Sequence, residues 1–347
     1  MSSLHYPITT PPAPGETLEI APGISWLRMP LPFALDHINL WLLREGERLT
    51  LVDTGYGDAI TRTLWETHLA RAKRGLERIV VTHYHPDHVG NAAWLSQRLG
   101  VSVTMTAAEF LTAHAVHGEA PGHAVADIGT LFRAHGVAEE HLAGFAARGN
   151  RYHEGVAELP AHFDRILPGS NLRLAGTDWR VITGFGHSPE HAALYSQDRR
   201  VLISGDMLLP RISTNVSVWP SEPLANALAR FLRSIGDFDA LPADTLVLPS
   251  HGLPFRGIGA RVAALREHHT ARLEELVDAV TQSSAAVSAA DLVPVLFRRE
   301  LDLQQRFFAI GEAIAHLNYL AGNGTLTRTT SQRGAVRFEL AGSAVTS

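Results

Sequence analysis

The chain has 347 residues, 45% of them apolar and 19% charged, which is enough to bury a large core and excludes wholesale disorder. Thirty-five acidic residues against 30 basic ones leave a net charge of −5, which speaks against phosphate-backbone binding as the main task. There is no cysteine, so a disulfide scaffold, a thiol nucleophile, an iron–sulfur cluster and a Cys-ligated zinc site are all excluded. The 19 histidines remain as candidate ligands, and Lys73 is the single lysine among the 30 cations.

Residues 1–20 lack a basic start followed by an apolar run, and no stretch reaches the ~18 apolar residues a membrane helix needs. A cytoplasmic chain without a membrane span is expected. Residues 1–20 are rich in Pro, Thr and Gly and read as an extended lead-in. Short apolar runs at 24–29, 38–43 and 49–53 predict strands, the last two joined by a hairpin at 44–48. Helical spacing covers 59–72, and 78–82 is a buried-strand run that ends on a histidine cluster. A helix at 91–99 and a strand at 101–105 follow, giving the strand–helix–strand order of an α/β sandwich.

From 107 to about 164 the composition turns helix-friendly, broken by Gly118, Pro121, Gly122 and Gly149. This predicts a helical insertion, expected to cover the site and to influence substrate choice. Its histidines, His114, His117, His123, His135, His141, His153 and His162, show no recurring ligand spacing and read as packing or surface residues. Strands are expected again at 180–183, 193–196, 201–204 and 245–249, with an amphipathic helix at 225–235 and a long helix rich in paired charges at 261–282. A Ser/Ala stretch at 283–290 marks a linker, after which two helices (291–297, 303–320) and a hairpin (325–328, 335–340) form a small winged-helix-like module. The expected division is therefore a lead-in over 1–20, a catalytic domain over 21–282 and a C-terminal module over 283–347. The C-terminal part from 263 to 347, which includes that module, carries eight arginines and nine acidic residues, which favours packing or homodimerisation over DNA binding.

The decisive segment is His83, His85, Asp87 and His88, directly after a buried strand. Imidazole and carboxylate are what a borderline divalent metal takes when no thiolate is available. In extended chain His83 and His85 point the same way and can grip one ion, while Asp87 and His88 lie where the chain turns into a helix and can reach a second. His187 in a Gly-rich turn, Asp206 ending the strand at 201–205, and His251 following the strand at 246–250 are ligand-type residues at strand ends.

Together these residues resemble the metallo-β-lactamase-fold superfamily. The matching pieces are Asp53-Thr54-Gly55, the cluster from His83 to His88, Gly186-His187-Ser188-Pro189-Glu190-His191, Ser204-Gly205-Asp206 and Ser250-His251-Gly252. The resemblance implies an αββα sandwich with His83, His85 and His187 on one metal, Asp87, His88 and His251 on a second, and Asp206 bridging them. It places Asp53 and His191 behind the ligands, orienting them by hydrogen bonds. The full ligand set without Cys is similar to the glyoxalase II, lactonase and RNase Z branch. The expected activity is a dinuclear hydrolase with a metal-bridging hydroxide, acting on a small ester, thioester or lactone. Alternatives are an endoribonuclease or phosphodiesterase on the same fold, and a non-catalytic binding or sensing protein. Zinc is expected, with iron or manganese also suited to N/O donors. Asp87 is expected to orient the nucleophile and pass a proton. Tyr84, Arg211, Ser213 and Asn215 are candidate substrate contacts.

Overall fold

The computed structural model describes residues 4–72 and 74–342, so Lys73 lies outside the described residues. Seven strands form one sheet in chain order: β1 (Thr17–Ala21), β2 (Ile24–Pro30), β3 (His37–Glu45), β4 (Arg48–Val52), β5 (Leu76–Val80), β6 (Ser102–Thr106) and β7 (Asp164–Ile166). The first four are antiparallel neighbours, and β4 to β7 run parallel. The second sheet has the order β12-β11-β10-β9-β8, built from β8 (Asn171–Leu174), β9 (Thr177–Gly184), β10 (His191–Ser196), β11 (Val201–Gly205) and β12 (Leu246–Pro249). Strands β1, β7 and β8 are not marked in the sequence, because β1 and β8 are largely exposed and β7 has three residues.

The period-two alternation of a strand explains the layering. Along β3, Ile38, Leu40 and Leu42 point to one core, while Trp41 and Leu43 point to another. The first core is closed by Trp65 of helix α1 (Ala59–Arg71) and by residues around the next two helices, α2 (Pro86–Val89) and α3 (Ala92–Leu99). The second core holds Leu194, Ile203 and Leu248 and so lies between the two sheets. A strand covered on both faces reads as a nearly unbroken apolar run, as β3 does. Asn39, at 0% exposure, joins the sheets: it accepts from Trp26 Nε1 and donates to the carbonyls of Pro249 and Gly252, each at 2.8 Å.

Close backbone approach fixes the exit from the helical stretch. Gly57 N–H donates to Gly155 O at 2.8 Å, and a Cβ on Gly90 would lie 2.4 Å from that same oxygen. The stretch after β6 contains α4 (Ala107–His117), α5 (Val125–Ala134), α6 (Glu139–Arg148) and α7 (Tyr152–Gly155), as its composition predicts.

The chain divides into two compact units. The first comprises residues up to His117, Arg151–Thr214 and Ser234–Val262; the second comprises Gly118–Asn150, Asn215–Arg233 and the chain from Ala263 onward. The middle of the helical stretch thus groups with the C-terminal part rather than with the sandwich. The cause is long-range aromatic packing. Phe132 of α5, Phe145 of α6 and Phe307 form a triangle of ring contacts at 5.5–5.7 Å. Helices α8 (Ala227–Asp239) and α9 (Ile258–Gln282) each contribute to both units. Within the second unit, α10 (Ala289–Leu296) and α11 (Leu303–Gly322) both begin with a capping box, from Ser288 with Asp291 and from Asp302 with Gln305. An antiparallel hairpin of β13 (Leu326–Thr330) and β14 (Val336–Leu340) follows. Among the described residues no helix is long and apolar enough to cross a membrane.

Candidate metal centre

His83, His85, His187, Asp206 and His251 sit in the turns that follow strands, where the backbone is no longer committed to the ladder, and Asp87 and His88 sit in the short helix α2 just beyond β5. Asp53 follows β4 with φ of 62°, a left-handed conformation that Asp tolerates better than most residues. From there its carboxylate accepts from Thr82 N–H at 2.8 Å, from Thr82 Oγ1, and from His88 Nδ1 at 2.8 Å. Because a carboxylate only accepts, His88 carries a proton on Nδ1, and Nε2 is the nitrogen turned inward. His251 is set in the same way. Its Nδ1 donates to the carbonyl of His37 at 2.8 Å, while His37 Nε2 accepts from Gly252 N–H at 3.0 Å. The helix that carries His88 is fastened by Thr54, whose Oγ1 donates to His88 O at 2.7 Å, and by Asn91, which donates to three successive carbonyls from Thr54 to Tyr56.

Two groups of donors result. In the first, His83, His85, His187 and Asp206 bring their ligand atoms within 4.8 Å of one another. His83 Nε2 lies 2.9 Å from His85 Nδ1 and 3.2 Å from His187 Nε2. In the second, Asp87, His88 and His251 meet by the same measure. Asp87 Oδ2 is 3.4 Å from His251 Nε2 and 3.6 Å from His88 Nε2. Asp206 serves both groups: Oδ2 is 3.5 Å from His187 Nε2, and Oδ1 is 3.3 Å from His251 Nε2 and 3.6 Å from His88 Nε2.

The electrostatics differ between the groups. Burial lowers His83 well below the ordinary imidazole value and lowers His85 to about 3, with neighbouring rings adding repulsion. In the second group burial also opposes charge, but carboxylates outweigh it. Asp87, Asp53 and Asp206 raise His88 well above its ordinary value, and Asp206 and Asp87 raise His251 to about 10. The reciprocal effect holds Asp87 at about 2 and Asp206 well below the carboxylate range, although burial alone would raise both.

This donor set fits cations. Nε2 of His88 and Oδ1 of Asp206 are buried and have no hydrogen-bond partner among the described residues. Three ring nitrogens converging at 2.9 and 3.2 Å cannot all be satisfied by one another's protons, whereas a positive ion accepts every lone pair at once.

Behind the ligands, His191 is fully buried and its Nε2 accepts from Asp206 N–H at 3.1 Å. Gly205 lets the chain pass this ring, since a Cβ there would stand 2.2 Å from His191 Nε2. Of the candidate substrate contacts, Tyr84 is 4% exposed; its N–H donates to Glu109 at 2.9 Å and its carbonyl accepts from Tyr152 Oη at 2.6 Å. Arg211 is exposed and Ser213 half-buried in the first unit. Asn215 falls in the second unit, where Nδ2 donates to Glu312 at 3.4 Å.

Glu109, at 0% exposure, went unmarked in the sequence. Burial pushes it up to about 7, against hydrogen bonds from Ser188, Glu190 and Tyr84 that lower it. Nothing in its Ala-rich surroundings signals this role. Asn39 lies inside the strand predicted at 38–43 and His37 just before it, and neither carries a local signal of its role.

With this geometry in view, the comparisons with known proteins are consistent with one another. Residues 34–251 match the metallo-beta-lactamase superfamily, and residues 273–341 match the metallo-beta-lactamase-like, C-terminal domain. The chain belongs to the metallo-beta-lactamase superfamily and is a hydrolase of that fold with a His/Asp cluster able to hold metal ions. It is similar to a beta-lactamase domain protein from Burkholderia ambifaria, with 45% identity, a TM-score of 0.89, and 97% of this chain and 98% of the other covered. It is also similar to a probable metallo-hydrolase, YqjP, of Bacillus subtilis, 23% identical over 87% of this chain and 93% of the relative. A hydroxyacylglutathione hydrolase of Haemophilus ducreyi is 25% identical over 63% of this chain and 67% of its own length.

Proposed function

We propose that the chain is a dinuclear metallohydrolase of small thioesters, esters or lactones, with zinc as its metal. The observation that carries the reading is Asp206, which turns one carboxylate oxygen to each donor group. His83, His85 and His187 would hold one ion, Asp87, His88 and His251 the other, with Asp206 between them. Bound there, the ions supply positive charge that acidifies water and polarises a carbonyl. Asp53 keeps His88 in the tautomer with Nε2 bare, and the His37 carbonyl does the same for His251. Asp87, at 18% side-chain exposure the more open of the two acid ligands, orients the attacking water and moves its proton toward the leaving group. A thioester fits the resemblance to a hydroxyacylglutathione hydrolase, and the acidic balance gives RNA no electrostatic footing.

The test is elemental analysis of the purified protein together with a substrate panel of acylated glutathione, lactones, β-lactams, phosphodiesters and RNA. Two divalent ions per chain and turnover of the thioester or lactone are expected. One ion per chain, or cleavage confined to RNA, would overturn the reading.

A further inference from the structure

The stretch from Ala107 onward contributes more to the first unit than helical packing. Glu109 stands in the first turn of α4, yet its carboxylate is spent on two loops outside that helix. Oε2 accepts from Tyr84 N–H at 2.9 Å, between His83 and His85. Oε1 accepts from Ser188 Oγ at 2.7 Å and from Glu190 N–H at 2.6 Å, immediately after His187. One buried carboxyl group therefore fastens the two backbone segments that carry the three imidazoles of the first donor group. Tyr152 at the other end of the helical stretch takes hold of the next peptide along, donating to the Tyr84 carbonyl at 2.6 Å. Thr106, just before α4, adds a bond from Oγ1 to Glu190 O at 3.0 Å.

A carboxylate is costly to bury, and apolar packing would not select one. What it offers is four lone-pair sites on one rigid plane, enough to accept all three donors, with bonds strengthened by charge. A glutamine of the same shape has one acceptor oxygen. If that oxygen faces Ser188 and Glu190, its amide N–H confronts the N–H of Tyr84.

We propose that Glu109 is a positioning residue for the first metal ion, setting the distance between the His83–His85 segment and the His187 loop. This rests on the reading that those three histidines hold an ion. The residue touches neither substrate nor metal. It acts through the backbone on which the ligands hang, as outer partners of metal ligands do, with typical effects of about 10- to 100-fold on affinity.

The test compares the wild-type protein with Glu109→Gln and Ser188→Ala. Each is stripped of ions, then titrated with Zn²⁺ against a chromophoric chelator and, separately, with Co²⁺ while its visible absorption is followed. The wild type taking up fewer than two ions would defeat the dinuclear reading itself. Granted two ions in the wild type, Glu109→Gln is expected to weaken one of the two affinities by about 10- to 100-fold and leave the other within about twofold. It should also alter the Co²⁺ spectrum of that ion, and lower kcat with KM little changed. Ser188→Ala, which leaves the buried charge in place, is expected to weaken the same affinity several-fold. Two wild-type affinities and an unchanged Co²⁺ spectrum in Glu109→Gln would overturn the proposal. If that variant does not fold, the same wild-type result in Ser188→Ala overturns it.

Discussion

Buried histidines occur in both units, and the contrast shows what distinguishes a cluster able to hold a metal ion from packing residues. In the second unit His135, His269 and His316 are all at 0% exposure, as sequestered as His83 or His88. Both ring nitrogens of His135 lack a hydrogen-bond partner among the described residues, and so does Nε2 of His269. Yet His135 lies over the ring of Phe338, and His269 Nδ1 meets a single nitrogen, His316 Nε2, at 3.2 Å. Burial lowers these three to about 4, 3 and 4. None belongs to a group of three ligand atoms. In the first unit the lone pairs converge, and carboxylates stand among them. Burial and an unsatisfied nitrogen are thus common to both regions; convergence together with negative charge is not.

The sharpest way to break this contrast is to remove ions. Chelation of the purified protein is expected to reduce hydrolysis at least ~1000-fold, with recovery on adding Zn²⁺ back. A His135→Phe/His269→Leu/His316→Leu variant should still carry two ions per chain by elemental analysis. A lower ion content in that variant would show that the second unit also holds ligands.

Next in size is Asp87→Asn, which keeps the shape and removes the charge of a partly open carboxylate. Its kcat should fall at least ~100-fold in steady-state assays, with the thermal midpoint within a few degrees of wild type.

The pH dependence of stability then separates the regions by proton count. A histidine whose folded value is depressed is neutral in the native chain but binds a proton once unfolded below its ordinary value near 6.5. Stability from that source is complete above 6.5 and is lost as pH falls toward about 4, which is where His135 titrates in the fold. Each such group contributes a slope of up to about 1.4 kcal/mol per pH unit across that window. Urea unfolding at pH 7 and pH 5 should therefore show a smaller loss of stability in His135→Phe than in the wild type. Equal losses would mean that His135 is not held neutral.

The smallest effect is expected from the same variant at pH 7. Replacing an imidazole that has no partner by an apolar ring should change stability by less than about 1 kcal/mol, or raise it. Equilibrium unfolding at that pH measures it.

Local signals carried much of this into the sequence. The strand runs are legible because β3 and β5 alternate or cluster apolar residues, and the spacing from His83 to His88 is legible because four ligand-type residues crowd six positions. Asp206 and His251 look like ordinary loop residues until the family pattern is laid over them, since convergence is a property of the two sheets and not of either segment. Glu109 could not be found this way. Its partners Ser188 and Glu190 are 79 and 81 positions away, and a helix-forming neighbourhood hides a buried anion. The grouping of residues 118–150 with the C-terminal part rests on contacts such as Phe132–Phe307, which leave no periodicity in the sequence.

The meeting of Gly57, Gly90 and Gly155 bears on how this chain tolerates inherited change. Where main chain touches main chain there is no side chain to trim and no rotamer to turn, so even alanine at 57 or 90 asks two segments to part: a Cβ on Gly90 would stand 2.4 Å from the carbonyl oxygens of Gly155 and Pro86, and one on Gly155 would meet the Tyr56 ring. In a library of random variants these positions would behave as fixed points, while the loop tips between elements drift. Gly90 lies two residues after His88 and Gly155 three after Tyr152, so the least negotiable letters of the protein carry no chemistry of their own.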